Sequence, residues 1–229
     1  MANGTLTWLG HGTWRVDTAG GKTVLVDPWL EGNPTSPANA EPEKLDLILV
    51  THAHFDHLAD AVRLSNAHAA PIVCGYELSL WFEKQGAQHV VGHGKGSRNQ
   101  HGDLTVSVTN AFHSSSTPDG TYGGEPLGFV LRQENGHTIY FSGDTCVFGD
   151  MALIKRLHAP DVAVLCIGNM YTMDPVEAGL AAELVGARKV FPGHWGTFPA
   201  LSGTPEELRK HVPAGVEVVA PEPGVAVAL

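Results

Sequence analysis

The stretch KLDLILVT, residues 44–51, is a nearly continuous apolar run, and it passes directly into HAHFDH at residues 52–57. Such a run predicts a strand buried on both faces, with a layer packed against each side. The side chains that follow, His52, His54, Asp56 and His57, then sit just past a strand's C-terminal end, where open α/β sheets gather their chemistry. Imidazoles this close together make a poor core. They compete for hydrogen-bond partners and repel one another when charged, so the pattern calls for something that holds them.

The remaining chain supplies the layers. LTWLGHGTWRVDTAGGKTVLVDP reads as successive strands, with a turn at Ala-Gly-Gly-Lys between WRVDT and TVLVD. Residues 32–42, rich in Pro and Asn, read as a loop. Helix–strand pairs are predicted at 58–68 with PIVCG and at 76–85 with HVVG, and the glycine-rich GHGKGSRNQHG reads as irregular. LTVSVTNAF alternates like a half-buried strand and leads to His113. FVLRQ and TIYFS form a hairpin across Asn135-Gly136, and that strand closes at Asp144. A helix near 149–158, the strand DVAVLCIG, a helix over 175–185 and the strand KVFPG then deliver His194. Thr204 and Pro205 start a short helix in PEELRKHV. Strands followed by alternating helix and strand occur twice. This predicts one α/β domain over residues 1–229 in two halves, about 1–110 and 111–229, with two sheets face to face and helices outside.

Composition narrows the partners. The chain is 43% apolar and 17% charged, with a formal net charge of −10 and no run of Lys or Arg, which argues against a nucleic-acid partner. The N-terminus lacks the basic start and apolar core of a secretory signal. No apolar stretch approaches the ~20 residues that span a bilayer. Cys74, Cys146 and Cys166 are odd in number and widely spaced, unlike a disulfide framework. A cytoplasmic protein with a small-molecule substrate and no membrane partner is expected; homo-oligomerisation is compatible with all of this.

Neutral imidazole and carboxylate suit borderline divalent metals, and the absence of cysteine from the cluster argues against a closed structural zinc site. Four donors in one short loop cannot all reach a single tetrahedral centre. Two metals side by side relieve that, provided other strand ends bring further donors, and His113, Asp144 and His194 each stand at such an end.

HxHxDH followed by single His, Asp and His residues at strand ends resembles the metallo-β-lactamase superfamily of binuclear hydrolases. More narrowly, WLGHGTW, LVDPWLEGNP, VTHAHFDHLADAV, AFHSSSTPDGTYGG, GFVL, YFSGDTCVFGDM and GHWGTFP resemble a family of uncharacterised metal-dependent hydrolases close to the L-ascorbate-6-phosphate lactonases. The likeness runs from about residue 5 to residue 200. It implies an αβ/βα four-layer sandwich of two mixed sheets with helices outside. It implies that His52, His54 and His113 hold one metal and Asp56, His57 and His194 a second, with Asp144 bridging. It further implies a metal-bridging hydroxide as nucleophile, with Asp56 orienting it or accepting its proton. Zn²⁺ heads the list of metals, followed by Mn²⁺, Ni²⁺ and Fe²⁺. His54 stands where the oxygen-reducing diiron branch commonly has Glu, which favours hydrolysis. The expected substrate is small and polar or anionic, with a lactone, ester or phosphoester bond. Two alternatives are a nucleic-acid phosphodiesterase of the same superfamily and a metal-dependent binding protein without turnover.

His11, flanked by glycines, is expected as a catalytic group facing substrate at the cavity mouth. Asp27 is balanced between orienting a ligand histidine and capping a turn. The serines of SSST, at the start of the 114–124 loop, read individually as a solvated turn. Relatives tend to carry Asp where Asn169 stands, so an outer carboxylate is expected to be missing there. His68, His89, His93, His101, His137, His158 and His211 read as surface or packing residues.

Overall fold

The computed structural model describes residues 3–229. The first half runs β1 (Thr5–Trp8), β2 (Trp14–Asp17), β3 (Thr23–Val26), β4 (Leu47–Leu49), α1 (Phe55–Leu58), α2 (Ala61–His68), β5 (Ile72–Gly75), α3 (Tyr76–Lys84) and β6 (Val90–His93). The second runs β7 (Arg98–His101), β8 (Leu104–Asn110), β9 (Leu127–Arg132), β10 (Thr138–Phe141), α4 (Met151–His158), β11 (Val162–Cys166), α5 (Pro175–Val185), β12 (Lys189–Gly193), α6 (Pro205–Leu208), β13 (Glu217–Val218) and β14 (Ala226–Ala228).

Two seven-stranded sheets form, ordered β14-β1-β2-β3-β4-β5-β6 and β7-β8-β9-β10-β11-β12-β13. In each, the first three pairings in that order are antiparallel and the last three parallel. Leu6, Val16, Val24 and Leu47 of one sheet meet Val106, Phe129, Leu131 and Ile139 of the other in a shared core. Burying a side chain such as Phe129 contributes roughly 1.5–3 kcal/mol. On the far side of the first sheet, Leu64 of α2 and Phe82 of α3 pack over Leu25, Ile48 and Ile72. On the far side of the second, Ile154 of α4 and Ala178, Ala181 and Ala182 of α5 pack over Tyr140, Ala163 and Leu165. The result is the expected four-layer order, helix–sheet–sheet–helix.

Local chemistry accounts for where the elements start and stop. Asp174 caps α5 by accepting from Glu177 N, Pro175 opens it and Gly186 ends it in the left-handed region. The single helix expected over 58–68 is instead two. Asp60 breaks it, because its carboxylate accepts from Leu30 N and Glu31 N while its own N–H donates to the Pro28 carbonyl. PEELRKHV is helical only over Pro205–Leu208. GHGKGSRNQHG is more regular than its glycines implied, since Arg98–His101 form β7, antiparallel to β8. The change of sheet therefore falls between β6 and β7, ahead of the boundary expected near residue 110. β14 returns to pair with β1, so the C-terminal segment completes the first sheet. Among the described residues no helix is long and apolar enough to cross a membrane.

Candidate metal centre

The strand ends of both sheets converge on one place. β4 leads into the 52–57 loop, β8 into His113, β10 into Asp144 and β12 into His194. Their side chains, together with His11 after β1, form three overlapping groups whose donor atoms lie within 4.8 Å of one another: His52, His54 and His113; His11, Asp56, His57 and His194; and His52, His57 and Asp144. All seven expected donors are thus brought together, with His11 as an eighth.

Asp144 lies at the centre. Its Oδ2 is 3.0 Å from His194 Nε2, 3.5 Å from His57 Nε2, 3.6 Å from His113 Nε2 and 4.0 Å from His52 Nε2. Asp56 Oδ2 lies 2.8 Å from His11 Nε2 and 3.7 Å from both His57 Nε2 and His194 Nε2. Within the first group, His54 Nδ1 is 3.0 Å from His52 Nε2 and 3.3 Å from His113 Nε2. Donors on a tetrahedral cation with ~2.1 Å bonds are spaced ~3.4 Å apart.

Surrounding groups fix which nitrogen faces inward. Asp27 accepts from Thr51 N, Thr51 Oγ1 and His57 Nδ1 at 2.7, 2.7 and 2.8 Å. The Thr51 hydroxyl, having donated to Asp27, accepts from His52 Nδ1 at 3.0 Å. One buried carboxylate therefore sets two imidazoles with Nε2 lone pairs pointing into the cluster, so Asp27 orients histidines rather than capping a turn. His11 is held from its other ring nitrogen, with Nδ1 in a 2.9 Å hydrogen bond with Thr197 Oγ1.

This arrangement fits divalent cations. His57 Nε2 is buried with no hydrogen-bond partner, and His11 Nε2 meets Asp56 Oδ2 at 2.8 Å across a single proton whose place a cation would take. Acceptors that converge with too few protons between them require positive charge. Burial keeps His11, His52, His54 and His113 below the ordinary imidazole range, His11 at about 4, so they offer lone pairs. Burial also opposes charge on His57 and His194, but Asp144 overrides it, pushing His194 up to about 9 and His57 well above its usual value. Burial works against charge on Asp56 and Asp144 too, and the neighbouring histidines reverse it: His57 and His11 for Asp56, His194 and His57 for Asp144. Protons on two imidazoles meet part of a demand that cations would meet, and binding a metal would release them.

The backbone shows that the placement is enforced. Non-glycine residues with positive φ include His11 at 54°, Asp27 at 49° and His194 at 56°. Such conformations cost on the order of 1 kcal/mol each and persist where surrounding structure over-determines them. Gly12 is required beside them, because a Cβ there would stand 2.8 Å from His57 Cε1.

Two readings need correction. His11 is not at a cavity mouth: it has 0% exposure, packed among Trp29, Phe198 and the rings of His57 and His194. Ser115 is buried, and its hydroxyl accepts from Ala53 N between His52 and His54. Of the histidines expected at the surface or in packing, His93 packs in the interior, hydrogen-bonded to Ser97 and Asn99. Sequence reasoning passed over Thr51 and Thr197, although each adjoins or lies within a histidine-bearing motif.

Comparison with known proteins gives the family. A family model described as beta-lactamase superfamily domain matches residues 22–195. A UPF0173 metal-dependent hydrolase of Rubrobacter xylanophilus is 48% identical over 217 residues, covering 92% of this chain and 90% of the relative. One from Solibacter usitatus is 44% identical, covering 96% and 97%. The solved structure of Igni18, a metallo hydrolase from the archaeon Ignicoccus hospitalis, superposes with a TM-score of 0.88 at 33% identity, covering 98% of this chain and 97% of that one. The chain belongs to the metallo-β-lactamase superfamily, among its UPF0173 metal-dependent hydrolases.

Proposed function

We propose that the chain is a cytoplasmic binuclear metallohydrolase that cleaves a lactone, ester or phosphoester-type bond in a small molecule. The observation that carries this reading is the position of Asp144, whose Oδ2 lies within 4.0 Å of Nε2 atoms from both donor groups. One carboxylate facing two sets of imidazoles suits a pair of ions better than a single one. His52, His54 and His113 would hold one ion, and Asp56, His57 and His194 the other, with His11 as a further donor to the second. Zn²⁺ is the first choice for so nitrogen-rich a set, ahead of Mn²⁺, Ni²⁺ and Fe²⁺. Bound there, such ions supply Lewis acidity, activating water and stabilising charge on the group attacked.

The chain's own residues do the rest. Asp27 and Thr51 hold His57 and His52 in the required tautomers, so no reorganisation is needed during reaction. Asp56 is the acidic donor most open to the cavity, with a side-chain exposure of 13% against 4% for Asp144. Its Oδ2 is suited to accept a proton from an attacking water and pass it to the leaving group. The net charge of −10 supports a small-molecule substrate over nucleic acid. The three cysteines are free, which suits a reducing compartment.

The test is metal analysis of protein purified without added metal, followed by turnover on lactone, ester and phosphodiester panels before and after chelation. Two equivalents of metal with chelator-sensitive hydrolysis are expected. Full metal loading with inertness across every panel would favour the binding-protein alternative.

A further inference from the structure

Above the centre opens a cavity of about 770 Å³, with His54, Asp56, His113, Asp144 and His194 at its floor. Its walls are Phe55, Pro118, Tyr171, Phe198, Pro199 and Ala200, completed by small polar residues of the 114–117 segment. No Lys or Arg lines it, and the sequence explains why: none occurs in residues 99–131, 157–187 or 190–208, the stretches that build most of the wall. A substrate bearing a phosphate or carboxylate away from the reacting bond would find no cationic partner there. Sites that recognise such groups normally supply Arg or Lys for charge-assisted hydrogen bonds. Cations on the floor would not replace that partner, because they would be engaged with the bond being attacked. The field of an acidic chain also disfavours anions approaching from solvent.

The walls instead offer aromatic faces. Phe55 and Tyr171 line the cavity at 51% and 56% exposure, so both present open ring surface there. Phe55 stands edge-on to Trp29, with ring centroids 5.4 Å apart, and Trp29 stacks on Phe198 at 6.0 Å, so two wall aromatics share a rigid backing. Tyr171 is delivered by a strained turn in which Asn169 and Met170 have φ of 66° and 58°. This turn fixes Tyr171 against the cavity.

We infer that the substrate is an electrically neutral ester or lactone with an aromatic or comparably flat apolar body. This rests on the hydrolase reading above and departs from the anionic substrate that the lactonase resemblance implied. One water is consumed: its oxygen bonds to the acyl carbon, the acyl–oxygen bond breaks, and the leaving oxygen takes up a proton relayed by Asp56.

Binding and turnover separate this inference from the reading it rests on. Acetophenone and 4-acetylbenzenesulfonate, a matched neutral and anionic pair that cannot be hydrolysed, are titrated calorimetrically into the metal-loaded protein. The neutral ligand is expected to bind at least tenfold more tightly, and Ala200→Arg, on the exposed rim, to narrow that ratio at least fivefold. Equal or tighter binding of the sulfonate, or no binding of either ligand, overturns the inference. Hydrolysis of phenyl acetate is measured alongside. If acetophenone binds as expected but nothing in the lactone, ester and phosphodiester panels is cleaved, the hydrolase reading falls while the ligand class stands; cleavage confined to phosphodiesters or anionic esters overturns the inference.

Discussion

The two sheets share one order of parallel and antiparallel pairings, yet equivalent strand ends carry different chemistry. The second-position strands, β1 and β8, each place a histidine three residues beyond their last residue, His11 and His113. The fourth-position strands, β3 and β10, each lead to an aspartate, Asp27 and Asp144. The fifth-position strands diverge completely: β4 opens into the 52–57 donor loop, whereas β11 opens into the strained turn of Asn169–Tyr171. At the sixth, β12 delivers His194 while β5 passes straight into α3. A near-symmetric scaffold thus carries an asymmetric site. The first sheet contributes most donors and their orienting groups, and the second contributes the central carboxylate, two imidazoles and an aromatic wall.

The comparison is most exposed at the two aspartates. Asp144→Ala should remove the metals and reduce hydrolysis by more than the ~100-fold that losing an orienting partner costs, as read by metal content and kcat/KM. The paired histidines come next. His11→Ala and His113→Ala should each lower metal content towards one ion per chain, and spectroscopy of cobalt-substituted protein should show that different ions are lost. Two tightly held ions in His11→Ala would remove His11 from the donor set. Asp27→Asn should then cost ~10–100-fold in metal affinity with the fold retained. If it matched Asp144→Ala, the distinction between orienting and central carboxylates would fail. The smallest effect belongs to the turn after β11. Asn169→Ala should destabilise by about 1 kcal/mol, because alanine tolerates positive φ less well than asparagine, and thermal unfolding should register this with metal content unchanged.

Much of this was visible in the chain itself. The histidine loop betrayed itself because its donors crowd into six residues, and His113, Asp144 and His194 because each follows a strand-like stretch, alternating before His113. Hairpin turns and the caps of α5 follow rules that act over a few residues. What stayed hidden depends on distant packing. The depth of His11 is set by Trp29, Phe198 and Thr197, which reach it from separate loops. β7 is polar on both faces and is a strand only because β8 presents a free edge. The absence of cations from the cavity was written in the Lys and Arg positions, but its meaning required knowing which loops form the wall.

His11 and His194 occupy backbone conformations that glycine adopts without strain. Replacing either with glycine would trade lost side-chain contacts for relief of that twist and of carboxylates crowded by imidazole. The buried packing of His11 against Trp29 and Phe198 sets what that relief would have to exceed. On the function proposed above, imidazole at these two corners serves the metal centre rather than the fold.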